Sequence, residues 1–168
     1  MIPIILGAAA LAGAVVYGIS EAKKEEERIL RAVVYGISEA KKEEERILAS
    51  GINDVDNMKG VEFEKFLELI FKKTGYEVTL TKSTQDYGAD LILNKGGVKT
   101  VVQAKRSKNP VSVKAVQEVT SAVRHYKANK AIVITNNRFT ENARILANSN
   151  DVELWDRKKL IDLILSSK

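Results

Sequence analysis

The chain has 168 residues, 45% of them hydrophobic, enough for one domain of ordinary size and an appendage. It has no cysteine, which excludes disulfides, thiolate metal sites and cysteine nucleophiles, and its single histidine, His125, argues against zinc sites built on histidine or a Ser-His-Asp triad. The formal net charge is +5, and residues 51–168 hold 20 Lys and Arg against 14 Asp and Glu while residues 1–50 hold 7 against 8, so the basic excess belongs to the C-terminal region and suits a polyanionic partner such as nucleic acid.

Ile2 to Ile19 contains no charge and is dominated by Ile, Leu, Val, Ala and Gly, close to the minimum for a helix that spans a hydrocarbon core. It reads as a transmembrane anchor over residues 1–20; a buried helix is the alternative, and a cleaved signal peptide fits less well because no Lys or Arg precedes the apolar run. Lys23, Lys24, Arg28 and Arg31 follow it, so the positive-inside rule predicts a single pass through the cell membrane with the C-terminal domain in the cytoplasm. Ala8, Ala9, Ala12 and Gly13 offer small-residue spacings for close approach of two such helices, as in a homodimer. Residues 14–31 are then repeated at 32–48 with a period of 18, five helical turns, so a helix extended this way does not rotate what lies beyond it. The second apolar patch, Ala32 to Ile37, is too short to span. EAKKEEER supports a solvated helix by opposite charges three and four residues apart, giving a charged juxtamembrane helix and linker over 21–56, with Ser50-Gly51 ending the helix and Asn53, Asp54 and Asn57 in the linker.

The remaining domain, 57–168, opens with a helical apolar pattern over Gly60–Lys73, with Val61, Phe63, Phe66, Leu67, Leu69, Ile70 and Phe71 inward. A strand follows over Tyr76–Leu80, then a polar loop, Ser83 to Asp86. GADLILNKGGVKTVVQAK, Gly88 to Lys105, reads as two strands meeting at Gly96-Gly97, a pair suited to the positive φ angles of a two-residue hairpin turn. Lys95 then faces Val98, Asp90 faces Gln103 and Gly88 faces Lys105, and alternation brings Asp90, Gln103 and Lys105 out on one face. A carboxylate, an amide oxygen and an ammonium so placed could hold a hard divalent cation and a water beside it. Beyond the basic turn RSKNP, Ser112 is an N-cap for a helix to about Lys127 with Val113, Val116, Val119, Ala122 and Val123 inward; Ala131–Thr135 is a buried strand, Thr140 caps a helix through Asn148, Val152–Trp155 is a last strand and Arg157–Leu165 a last helix. The order α-β-β-β-α-β-α-β-α gives an α/β fold, a mixed sheet with helices on both faces.

This order, with GVEFEKFLELIFKKTGYEV, QDYGADLIL, VVQAKR, AVQEV and AIVITNNRFTENARILANSNDVELWDR, resembles the catalytic domain of the Mrr-like (type IV) restriction endonucleases, in the PD-(D/E)xK nuclease superfamily, over about residues 58–165. The resemblance implies a restriction-endonuclease-like fold and a metal site flanked by Asp90, Gln103 and Lys105. Asp90 would coordinate Mg²⁺, with Mn²⁺ as a substitute; Gln103 stands where an acid is more usual and would offer a neutral oxygen, leaving the site one negative charge short. Glu64 is the family-matched carboxylate for that role, though Glu68 stands nearby and either could be a solvated helix residue. Lys105 would orient or deprotonate the attacking water. Lys82, Arg106, Lys108 and Lys114 would contact phosphates, and Gln117 matches a family position near the active site. Singly these residues have ordinary readings: a strand-end acid, a solvent-facing strand edge, a solvated basic surface. Asp86 reads as a loop acid, and Trp155 and Tyr126 as core or rim aromatics. The function implied is a membrane-anchored, Mg²⁺-dependent DNA endonuclease, restriction or defence in role, needing a dimer to break both strands. The rivals are a nuclease fold that holds DNA at the membrane without cutting it, and a membrane protein whose basic surface meets anionic lipid.

Overall fold

The computed structural model describes residues 21–39, 42, 51–81 and 87–167. By contacts the chain divides into two compact units, residues 1–45 and 46–168. The anchor read at Ile2 to Ile19, the small-residue spacings within it and the loop with Lys82 and Asp86 lie outside the described residues. Among the described residues no helix is long and apolar enough to cross a membrane.

In the first unit, residues 21–39 form one helix, α1, exposed along its length. Ion pairs at i, i+3 line its polar side, Lys24–Glu21 at 2.9 Å and Arg28–Glu25 at 3.2 Å, and exposed pairs of this kind add little stability. Ile29, Leu30, Val33, Val34 and Ile37 are also exposed.

The second unit is built on a five-stranded sheet in the order β1-β2-β3-β4-β5, with β1 Glu77–Leu80, β2 Leu91–Lys95, β3 Val98–Lys105, β4 Lys130–Thr135 and β5 Val152–Trp155. The β1-β2 and β2-β3 pairs are antiparallel, and β3-β4 and β4-β5 are parallel. The sheet is therefore mixed, as the order of elements read from the sequence predicts. Alternation sorts β3 and β4 between two cores. Val102, Ala104, Ile132 and Ile134 join Leu91 and Leu93 under α3 (Gly60–Lys73) and α6 (Arg157–Ser166). Val101, Ala131 and Val133 pack beneath α4 (Val113–Tyr126) and α5 (Glu141–Ser149).

Helix α3 buries Phe63, Phe66, Leu67, Ile70 and Phe71, a single stripe at 3.6 residues per turn. Val61, counted inward from the sequence, is 68% exposed: two residues before Phe63, it lies roughly 200° around the helix and points away from the sheet. Thr140 caps α5 by accepting from the Ala143 N–H, as its residue type predicts. Ser112 precedes α4 with extended backbone but makes no side-chain cap bond.

The stretch read as a linker contains a short helix, α2 (Ile52–Val55). The Asp54 carboxylate accepts from the Gly51 N–H at 2.9 Å, and Val55 is fully buried in the α3 core. Just beyond it, Asp56 Oδ1 accepts from Arg157 Nη1 at 2.7 Å and from Asn136 Nδ2 at 2.8 Å. Asn136 Oδ1 in turn accepts from the Ser107 N–H, so one acid from the start of the unit ties the exits of β3 and β4 to α6. The Arg157 guanidinium, with help from Asn136 and against the opposing effect of burial, holds the Asp56 carboxyl below its usual value of 3.8. A depressed folded value stabilises the fold above the ordinary carboxylate pKa and loses that contribution as pH falls through the lowered value. Both side chains are more than a third exposed, which keeps the effect small. Thermal melts should therefore show Asp56→Asn less stable than the wild type near neutrality, with the gap closing in strong acid; a gap that does not change with pH would contradict this.

Candidate active site

The site begins with the β2-β3 turn. Gly96 and Gly97 have φ of +57° and +77°, the left-handed pair that a tight hairpin of this twist requires. Lys95 pairs with Val98 and Leu91 with Val102, the register expected from the glycine pair, which brings Asp90 level with Gln103. The Asp90 N–H donates to the Val102 carbonyl at 2.8 Å, and the Asp90 carbonyl accepts from the Thr81 N–H at 3.0 Å. The Thr81 hydroxyl donates to the Ala89 carbonyl at 2.6 Å. Asp90 is thus held by main-chain bonds from both neighbouring strands.

Its carboxylate is oriented as firmly. Gln103 Nε2 and the Ala104 N–H, at 2.7 Å, both donate to Asp90 Oδ2. Gln103 is 4% exposed, so its amide is buried against the acid and turns its NH₂ group toward it. Lys105, at the end of β3, lies two residues beyond Gln103, on the side of the sheet that α4 covers. Its Nζ is 2.8 Å from Glu118 Oε2 on α4. The approach is off hydrogen-bond alignment, since Glu118 Oε2 is buried and takes no hydrogen bond, so this contact is an ion pair. Lys114 Nζ stands 4.0 Å from the other oxygen, Glu118 Oε1.

Gly88 explains how α4 comes so near. Its φ is +90°, and a β-carbon built there would stand 2.0 Å from the Glu118 carbonyl oxygen. Only glycine admits both that conformation and that approach.

Lys105, Arg106, Lys114 and Glu118 line an open cavity of about 350 Å³ with Ser112 at the start of α4. Arg106 is half-buried, and its Nε is buried without a hydrogen-bond partner. Lys108 is exposed. Lys82 lies outside the described residues. Glu64 is half-buried on α3. Among the described residues no three acidic or histidine side chains gather to hold a cation.

Gln117 is exposed on α4, and its neighbour Glu118 is the residue that meets Lys105. The sequence held the signal for this. Ala115, Val116, Val119 and Ala122 define the buried face of α4; at about 100° per residue, position 117 points almost opposite to it while position 118 flanks it. Trp155 and Tyr126 are half-buried against the two cores. His125 is exposed and stacks on Tyr87 at 3.8 Å between ring centroids.

No curated protein sequence matches the chain. Among solved structures it is similar to a protein of unknown function, AF1548, at 17% identity and a TM-score of 0.52, covering 62% of this chain and 64% of that one. It is also similar to the DNA modification-dependent restriction endonuclease AspBHI, at 19% identity and a TM-score of 0.56, over 74% of this chain and 35% of AspBHI. The MspJI restriction endonuclease, in complex with a 27-mer oligonucleotide, aligns at 21% identity and a TM-score of 0.46, over 60% of this chain and 26% of that chain. The chain thus spans just under two thirds of the first protein and about a third of AspBHI, and at these identities the likeness is one of fold. Residues 55–164 match the family model of the Mrr catalytic domain, described as restriction endonuclease, and the chain belongs to that family.

Proposed function

We propose that the chain is a membrane-anchored, Mg²⁺-dependent DNA endonuclease that hydrolyses phosphodiester bonds in a restriction or defence role. The observation that carries this is the hairpin: Asp90 and Gln103 fixed against each other in adjacent strands, with Lys105 two residues on at the strand end. Asp90 and Gln103 are oxygen donors of the kind a hard cation takes, and Mg²⁺ commonly uses one or two carboxylates and completes its shell with water and substrate phosphate. They would hold Mg²⁺, or Mn²⁺ in its place, with Glu64 as the further carboxylate. Bound there, the cation supplies Lewis-acid stabilisation of charge developing on the phosphoryl oxygens. Gln103 and the Ala104 N–H keep the Asp90 carboxylate turned to one side. The Lys105 ammonium orients the attacking water, and once neutral it can take the proton. Arg106, Lys108, Lys114 and Lys82 contact phosphates of the strand, with Gln117 at the edge of the interface. In this reading residues 2–19 tether the domain on the cytoplasmic side of the cell membrane, and a homodimer through this segment would bring two sites to one duplex.

Incubated with supercoiled plasmid, the full chain in mild detergent should produce nicked circles in Mg²⁺ or Mn²⁺ and none in EDTA. Breakage that persists in EDTA would rule out the metal-dependent reading. The second reading is a nuclease fold that binds DNA at the membrane without cutting it. That reading predicts a gel shift with no strand breaks under any of these conditions.

A further inference from the structure

We propose that Glu118 is a positioning residue for Lys105, holding its ammonium toward the attacking water and away from neighbouring phosphates; this rests on the endonuclease reading above. Lysine is a flexible side chain, and one at the end of a strand, a third exposed as Lys105 is, samples many rotamers unless something fixes it. Glu118 Oε2 lies 2.8 Å from its Nζ. That oxygen is buried without a hydrogen bond, and buried acceptors are rarely left so; the Lys105 charge compensates it.

The carboxylate is itself delivered by a fixed backbone. The Gly88 main chain lies so close to the Glu118 carbonyl that no β-carbon fits between them. Gly88 stands two residues before Asp90 and opposite Lys105 in the extended hairpin register, so α4 at Glu118 is locked to the strand entry that carries the acid. A shift of α4 would move Lys105 relative to Asp90. Glu118 also adds a negative charge beside a centre where Gln103 occupies the place of an acid. Surface stability is a poor explanation for the pair, because both side chains are about a third exposed and ion pairs of that kind contribute little.

The test uses Glu118→Gln in the full chain, a change that removes the charge and keeps the length. Single-turnover cleavage in Mg²⁺ should fall about 10- to 100-fold, the scale of a misplaced reacting group. DNA affinity in EDTA should hold or tighten, with a steeper salt dependence, because the freed Lys105 can take a backbone phosphate. The melting temperature should stay within error, and Glu118→Asp should recover part of the rate. Equal cleavage by wild type and Glu118→Gln would overturn the assignment while leaving the nuclease standing. A rate loss matched by lost affinity or a lowered melting temperature would also overturn it, by showing a structural role. A wild type that never cuts in Mg²⁺ or Mn²⁺ would instead remove the endonuclease reading, and the Glu118 assignment with it.

Discussion

Asp90→Ala is expected to lower the single-turnover cleavage rate of the full chain by on the order of 10³-fold, the scale of losing one element of transition-state charge stabilisation. The alanine variant carries a second defect. Gln103 Nε2 and the Ala104 N–H both donate to Asp90 Oδ2, and each buried donor left without an acceptor costs about 1–3 kcal/mol. Asp90→Asn separates the two effects, because its amide oxygen can still accept while the negative charge is gone. Its melting temperature should lie nearer that of the wild type than that of Asp90→Ala, and its cleavage should be as poor. A rate within a few-fold of wild type in Asp90→Asn would show that the charge at position 90 does not act in the reaction.

Gly88→Ala should be the most damaging substitution of a single methyl group in the domain. The left-handed backbone costs alanine about 1–3 kcal/mol, and the steric conflict of a β-carbon 2.0 Å from the Glu118 carbonyl oxygen adds about 1–3 kcal/mol as α4 is pushed away. Gly96→Ala and Gly97→Ala supply the comparison. Both positions have positive φ, but nothing stands within 4 Å of the added carbon, so only the conformational cost applies. Urea unfolding should therefore rank Gly88→Ala well below both turn variants. Equal losses at all three positions would mean that the close approach of α4 carries no stability.

How much of this could be read beforehand divides along physical lines. The hairpin register was legible because it is local: the Gly96-Gly97 pair and a strict period of two place Asp90 against Gln103 without any knowledge of the rest of the fold. That β4 is a buried strand was legible from its apolar run, Ala131 to Thr135. Val61 was assigned to the wrong side because its apolar type was weighed above its angle on the helix. Asp56 gave no local signal at all. It follows a four-residue helix in a stretch that looks like a linker, and its partners Asn136 and Arg157 lie 80 and 101 residues away in sequence. Glu118 falls between these cases. Its helical angle was available, but its contact with Lys105 depends on the backbone approach that Gly88 permits, which is a property of the packed domain.

Cleavage and binding of one labelled duplex, followed in the same samples for wild type and Asp90→Asn with Mg²⁺ and with EDTA, test the proposed centre most directly. Wild type should bind in every condition and cut only with Mg²⁺, while Asp90→Asn should bind at least as tightly and leave the duplex intact. Two proteins that shift the duplex equally and break it in no condition would contradict a catalytic role for the Asp90, Gln103 and Lys105 set and leave a DNA-holding module in its place.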